Sequence, residues 1–331
     1  MNILITGASG FIGSALCKKL ADSGNTIHAF GRSVHEAELL LHSGIKLFKG
    51  DILDEGAIKN AIKDCQQVYH LAGYVKVQAK DPSTFYKVNV DGTINVLNAC
   101  LQEGIKKVVF TSTCGTFGPS GIHPTTEDTP RVPIFFTHYA RSKFQAELKA
   151  LEYLNKGLEV VVVSPTRVFG PGPLNESNPV CRLIKLYLRG KWRIIPEKGE
   201  NLGNYAFIDD VVDGHIKAME QGRTDENYLL GGENLSLNDL VRQIRKETGV
   251  KKRMFKIKLS LLLPFIKIQE IIFKILNKPP FVTTSWLKRL KDDLAFSSKK
   301  AEKELDYQIT PFSTGLKTTI NWMRKMGYIK Y

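Results

Sequence analysis

The feature that most narrows what this chain can fold into lies at its start. Residues 2–13 read NILITGASGFIG: an apolar run ending at Thr6, a turn carrying Gly7, Gly10 and Gly13, and a helix-like segment from Phe11. A strand that feeds a glycine turn and then a helix offers bare backbone N–H groups at the positive end of a helix dipole, the environment a pyrophosphate requires. Side chains at Gly7 or Gly10 would block that approach, and Gly13 lets helix and strand pack closely. In this strand–turn–helix context the pattern predicts a dinucleotide site, with Ser9, Phe11 and Ile12 beside the three glycines.

The next 150 residues repeat the alternation. Short β-branched runs at 2–6, 26–30, 45–49, 67–71, 107–112 and 158–163 are separated by amphipathic stretches at 11–23, 54–63, 84–103 and 138–156. Near-continuous apolar strands between helices predict a parallel sheet buried on both faces. Such sheets bind ligands at the carboxyl ends of their strands. Beyond residue 165 the pattern breaks into Pro- and Gly-containing loops (171–179), a strand near 204–207 and helices near 208–221 and 236–248. The expected fold is therefore α/β, a Rossmann-type doubly wound parallel sheet with a smaller, mostly C-terminal α/β substrate lobe. Residues 1–165 read as the dinucleotide-binding core and 166–331 as mainly the substrate lobe, with segments near 204–230 returning in part to the core.

Composition agrees with one such enzyme-sized unit. The chain has 331 residues, 43% hydrophobic and 24% charged, which excludes a disordered, collagenous or coiled-coil protein. Its net charge of +14 invites a nucleic-acid reading. Residues 1–241 hold 26 Lys and Arg against 26 Asp and Glu, however, so the whole excess lies in the last 90 residues. Cys17, Cys65, Cys100, Cys114 and Cys181 are odd in number and scattered without CxxC spacing, as reduced thiols of a cytoplasmic protein would be. No signal peptide is read at the N-terminus, and the most apolar stretch, 259–276, is too interrupted by Pro264, Lys267, Glu270 and Lys274 to span a bilayer.

Two further spots carry chemistry. After the second strand, where NAD-specific proteins usually place an acid for the ribose hydroxyls, stand Gly31, Arg32 and Ser33. A small residue followed by a guanidinium leaves room for a 2′-phosphate and supplies its counter-charge, so NADP is preferred over NAD. Residues 139–143 read YARSK, which puts Tyr139 and Lys143 one helical turn apart on one face. A phenol is a poor base near neutrality, and a neighbouring ammonium moves its pKa toward the working range. The Thr-Ser-Thr cluster at 111–113 offers a hydroxyl at the end of another strand to hold the substrate oxygen.

With these residues in hand, the sequence resembles the extended or atypical short-chain dehydrogenase/reductase family, also called the NAD-dependent epimerase/dehydratase family. TGASGFIG is similar to its cofactor turn. GDILD (50–54) resembles the segment where Asp51 meets the adenine with Ile52 beside it, and HLAG (70–73) the fourth-strand motif, with Leu71, Ala72 and Gly73 by the cofactor. NVDGTINVL (89–97) carries Asn89, which the family places behind the active site. TSTCGTFG (111–118) puts Thr113 at the catalytic hydroxyl position, usually Ser, leaving Ser112 as the other holder of the role. SPTRVFGPG (164–172) resembles the loop that contacts the nicotinamide through Pro165, and NYAFIDDVVDGHIKAME (204–220) the motif near the substrate. The resemblance covers residues 1–220. It implies hydride transfer between nicotinamide and a carbonyl or secondary alcohol, with Tyr139 as general acid or base, Lys143 lowering its pKa and binding the ribose, and Thr113 on the reacting oxygen. Tyr74, Cys114 and Tyr205 are the candidate substrate contacts. A homodimer through helices equivalent to 84–103 and 138–156 is implied as well.

Within that family, a net oxidoreductase resembling the dihydroflavonol-reductase and 3β-hydroxysteroid-dehydrogenase groups competes with a nucleotide-sugar epimerase or dehydratase. Cys114 and Gly115 follow Thr113 where dehydratases carry carboxylates. Gly203 precedes Asn204 and Tyr205 where nucleotide-sugar enzymes often carry an Arg for the diphosphate, and Gly31-Arg32 replaces their acid. These features favour the oxidoreductase, although Arg167, Arg182 or Arg193 can still meet a diphosphate. A nucleotide-sensing or scaffold protein without turnover is a third reading, against which Tyr139, Lys143 and Thr113 stand intact. His70 and His215 lack ligand-spaced partners and read as packing or hydrogen-bonding residues, with no metal site. Asp209 and Asp210 read as helix N-terminal acids.

The basic C-terminal region holds eight Lys or Arg and one acid between 251 and 278, interleaved with Leu, Ile and Phe. The ordinary reading is a helix over the substrate pocket with a solvated cationic side. The sharper one is peripheral contact with an anionic membrane. No nucleic-acid reader motif accompanies the charge.

Overall fold

The computed structural model describes residues 1–331 apart from 38–39, 77, 132–134, 277–283, 285–286, 288–290 and 330–331. The chain opens with β1 (Asn2–Thr6), α1 (Phe11–Asp22), β2 (Thr26–Gly31), β3 (Ile45–Lys49), α2 (Glu55–Ile62) and β4 (Gln67–His70). A long helical stretch follows, made of α3 (Ser83–Tyr86), a π-helical turn (Lys87–Asp91) and α4 (Gly92–Gln102). Then come β5 (Lys107–Thr111), α5 (His138–Leu151), β6 (Glu159–Pro165), β7 (Arg167–Phe169), α6 (Pro179–Leu188), β8 (Ile194–Pro196) and β9 (Leu202–Phe207). The last part holds α7 (Ile208–Gln221), β10 (Asn227–Leu230), β11 (Glu233–Ser236), α8 (Leu237–Thr248), β12 (Phe255–Ile257), α9 (Leu259–Ile275), α10 (Lys299–Leu305) and α11 (Phe312–Lys325).

Seven strands form one parallel sheet in the order β10-β6-β5-β4-β1-β2-β3. The chain reverses direction between β1 and β4, so a crevice opens at the carboxyl ends of those two strands. Successive strand side chains point to opposite faces and fill two separate cores. Ile3, Ile5, Ile27, Val109 and Val161 enter one, and Leu4, Phe30, Val108, Phe110 and Val160 the other. The Rossmann-type α/β expectation holds, and the strands and helices lie where the periodicity put them to within a few residues.

Of the region after 165, α7 packs on β5 and β6, and β10 is the edge strand of the main sheet. The helices α10 and α11 contribute Ala301, Leu305, Phe312 and Leu316 to the same core as Ile3 and Val161. Asp210 is half of that attachment: its carboxylate accepts from the Thr310 amide (2.8 Å) and hydroxyl (2.6 Å). It therefore does more than sit in the first turn of α7, where Asp209 also lies. Two small sheets, β11-β9-β7 and β12-β8, complete the C-terminal part.

Candidate active site

The glycine turn is built by chain packing as much as by any ligand. Gly7 has φ +71°, the left-handed region, and a β-carbon there would lie 2.8 Å from the Ala72 amide nitrogen. Its constraint therefore comes from the neighbouring β4 loop. A β-carbon on Gly13 would run into the Gly7 carbonyl, so Gly13 sets how closely α1 can approach β1. Gly10 caps α1 with extended backbone and no side-chain bond, and no acid occupies the first turn. The first N–H groups of α1 are left for an anion.

That turn opens into a cleft of about 470 Å3. Of the sequence-predicted residues, Gly7, Ser9, Gly10, Phe11, Ile12 and Gly13 line its middle. Arg32, Asp51 and Ile52 line one end, and Leu71, Ala72, Gly73, Thr113, Cys114, Tyr139, Lys143 and Pro165 the other. Asn89, Tyr74 and Tyr205 do not line it. Asn89 is fully buried behind the wall, on the π-helical turn. Its side chain donates to Ser142 Oγ (2.8 Å) and accepts from the Tyr74 amide (2.6 Å), tying α5 to the loop after β4. The Tyr74 ring turns away to pack edge-on against Phe85, and Tyr205 is buried beneath Arg167.

His70 organises the floor. Thr93 donates to the Asn89 carbonyl (2.6 Å), so Thr93 Oγ accepts from His70 Nε2 (3.0 Å), and Nδ1 accepts from Thr6 Oγ (2.7 Å). Thr6 Oγ in turn accepts from the Ala72 amide (3.2 Å). Both ring nitrogens are used and the ring is neutral. Burial, then the Lys143 charge, pushes its pKa down to about 3. Among the described residues no cluster of His, Cys, Asp or Glu gathers to hold a metal.

Tyr139 stands in the first turn of α5, which Thr137 caps through a bond from the Ala140 amide (3.1 Å). Lys143 follows one turn later, almost fully buried, with its Nζ 4.1 Å from the centre of the Phe110 ring. Thr113 Oγ accepts from the Gly115 amide (3.2 Å) and its hydroxyl meets the Tyr139 phenol. The charge balance differs from the sequence expectation that Lys143 lowers the phenol's pKa. Burial dominates and, with Cys114, pushes Tyr139 above the ordinary phenol range, opposed by the Thr113 hydroxyl. The same burial drives Lys143 down to about 7, with Glu147 opposing, so its charge is much reduced at neutral pH.

At the opposite end, Arg32 is exposed and lies 3.8 Å from Asp51, whose other oxygen accepts from the Leu53 amide (3.0 Å). The cleft has further walls, among them Arg167, one of the three arginines named above for a diphosphate. Arg167 and Val168 enter from β7 with Thr166 just before it, Glu176 and Ser177 from the loop leading into α6, and Pro179 from its first residue. The motif SPTRVFGPG marked that stretch, but which side chains face the cleft depends on how β7 docks on β9. Arg167 is the register partner of Tyr205 and donates to its hydroxyl at 3.2 Å.

A glycine turn, an uncapped helix N-terminus and a Tyr–Lys–Thr group at one end of an elongated cleft suit a dinucleotide lying across the strand ends. Residues 3–231 match the NAD dependent epimerase/dehydratase family. The 2-alkyl-3-oxoalkanoate reductase of Stenotrophomonas maltophilia is 30% identical over 268 residues, 76% of this chain and 77% of that protein. The crystal structure of gox2253 is 31% identical with a TM-score of 0.84, covering 99% of both chains. The structure of UDP-glucose 4-epimerase from Thermotoga maritima with UDP-glucose is 25% identical with a TM-score of 0.81, covering 98% of this chain and 99% of that one.

Proposed function

This chain belongs to the NAD dependent epimerase/dehydratase family, and we propose that within it the protein is a net oxidoreductase. It moves a hydride between NADP(H) and a substrate bearing a carbonyl or secondary hydroxyl. The observation that carries this reading is the meeting of Tyr139, Lys143 and Thr113 at one end of the cleft whose middle is the glycine turn. The similarity to a protein named 2-alkyl-3-oxoalkanoate reductase supports a carbonyl substrate. Arg32 beside Gly31 supports NADP over NAD.

A nicotinamide cofactor, which the glycine turn at Gly7, Gly10 and Gly13 would hold by its pyrophosphate, would supply or accept the hydride. The Thr113 hydroxyl donates to the substrate oxygen and orients it toward the Tyr139 phenol. Tyr139 gives that oxygen a proton in the reducing direction and takes one in the oxidising direction. Desolvation raises the phenol's pKa and the Thr113 hydroxyl opposes it, so the proton is held on Tyr139 until the substrate oxygen can take it. Lys143, one helical turn on from Tyr139 and pushed down by burial, lines the same end of the cleft, where its ammonium can meet the cofactor ribose. Asn89, Ser142 and His70 hold α5 and the β4 loop in place, so that donors and acceptors need little reorganisation.

One observation keeps a second reading open. Arg167, one of the arginines the sequence left open for a diphosphate, lines the cleft in the space that the glycine at 203 leaves. That favours a nucleotide-sugar epimerase as the alternative, and the Thermotoga maritima epimerase supports it at the level of overall likeness. A panel of carbonyl, alcohol and sugar-nucleotide substrates, followed at the NADPH absorbance band, separates the two. Stoichiometric cofactor consumption supports the oxidoreductase, and sugar-nucleotide turnover with catalytic cofactor overturns it. Binding of NADPH with no turnover of any member would favour a sensor or scaffold. Assembly as a homodimer through α4 and α5 belongs to the same proposal, and light scattering tests it. A reducing cytoplasmic setting suits five cysteines that are all buried and not joined as disulfides.

A further inference from the structure

Helix α9 breaks the rule that large apolar side chains leave water. Leu261, Phe265, Ile268, Ile272 and Ile275 are all exposed, Phe265 to 71% and Ile275 to 78%. Their spacing of four, three, four and three residues makes one continuous stripe along the helix. The opposite face is apolar too: Leu259 is buried, and Leu262, Leu263 and Ile266 are half-buried. A helix that is apolar all round is normally buried on every side, and a contiguous exposed stripe of this kind marks a contact surface. Among the described residues, no helix is long and apolar enough to cross a membrane.

The charge around the stripe has one sign. Exposed Lys251, Arg253, Lys256 and Lys258 lead into the N-terminal end of α9, and exposed Lys267 flanks the stripe at mid-helix. The single acid of the segment, Glu270, is turned inward and accepts from the Thr284 amide and hydroxyl, both at 2.8 Å. Lys278 and the side chain of Lys274, counted in the sequence reading, lie outside what the structure describes. An apolar stripe bordered by cations, on a helix whose acid is used internally, complements a surface that is apolar below and anionic above.

We propose that α9 docks the protein on an anionic membrane, lying in the interface with Phe265 and its stripe in the acyl boundary. The place of the helix in the fold supports this. Its first amide donates to Glu197 (2.9 Å), just after β8, and β8 pairs with β12, which leads into α9. A small cavity beside that segment is lined by both Pro196 and Arg167, and Arg167 also lines the active-site cleft. Arg167 thus links the active-site cleft to the β8 segment from which α9 is held.

Vesicle flotation of the full chain tests the docking. The probes are vesicles of phosphatidylcholine alone and of phosphatidylcholine mixed with phosphatidylglycerol, at low and high salt. Binding to the mixed vesicles, weakened by salt and lowered more than about tenfold by Lys256→Glu with Lys258→Glu, is the expected result. Phe265→Asn with Ile272→Asn should abolish it. Both pairs are exposed, and unchanged thermal melting shows that the variants fold. Equal partitioning to both vesicle types overturns the proposal. So does a failure to bind vesicles together with a concentration-dependent dimer that the Phe265 and Ile272 changes dissociate, since the stripe would then face a second copy.

Discussion

A β-carbon on Gly203 would stand 2.7 Å from Cζ of Arg167. Glycine at that position of β9 leaves the space in which the guanidinium lies, between the cleft and the Tyr205 hydroxyl. Gly203→Ala is therefore expected to displace Arg167, and Arg167→Ala to remove the charge outright. In steady-state kinetics both should raise KM for the carbonyl substrate by about tenfold or more, the scale of one charge-assisted hydrogen bond, with kcat within a few-fold. If KM is unchanged in both variants, Arg167 does not touch the substrate.

Tyr139→Phe keeps the ring and removes the proton donor. A loss of about 10²- to 10⁴-fold in kcat is expected, with NADPH affinity measured by fluorescence titration nearly unchanged. Thr113→Ser should retain most activity and Thr113→Val little. Should Ser112→Ala instead be the damaging change, the hydroxyl role moves to Ser112, which is buried beside it and also lines the cleft.

Arg32 is exposed and tied only loosely to Asp51, at 3.8 Å. On the proposed NADP reading, Arg32→Ala is expected to raise KM for NADPH by about tenfold while changing KM for NADH little, since the contact proposed for Arg32 is to the 2′-phosphate alone. Equal effects on both cofactors would assign Arg32 to the shared part of the nucleotide.

Acid should destabilise the fold through two buried histidines. Burial lowers His70 to about 3 and His215 to about 4 from an ordinary value of 6.5. Below 6.5 the unfolded chain takes up protons that the folded protein refuses, so stability falls as pH falls. The loss starts near 6.5 and runs to about 4 for His215 and about 3 for His70, at about 1.4 kcal/mol per pH unit for each residue. Urea unfolding at pH 7 and pH 5 measures it. His215→Gln should flatten the slope, and an identical slope in wild type and variant would contradict the assignment.

Much of the fold was legible because it depends on local periodicity. The run from Asn2 to Gly13 predicts strand, turn and helix from side-chain size and backbone freedom alone, and the i, i+4 pairing of Tyr139 and Lys143 needs only a helix. Three readings changed for reasons that are not local. Tyr74 and Tyr205 stand next in sequence to cleft-lining motifs, yet their rings are taken up by Phe85 and Arg167. The expected action of Lys143 on the phenol is opposed by burial, which raises Tyr139 and lowers Lys143.

By itself the sequence determined the sheet, the glycine turn and the placing of Tyr139 and Lys143 one helical turn apart, because each follows from spacing within a few consecutive residues. Only the tertiary structure decided that Arg167 fills the space left by Gly203, that His70 and Asn89 brace the floor, and that one face of α9 stays in water. Those outcomes depend on which distant segments meet, and neither the cost of burial nor the accessibility of a helix face is set until the whole chain has packed.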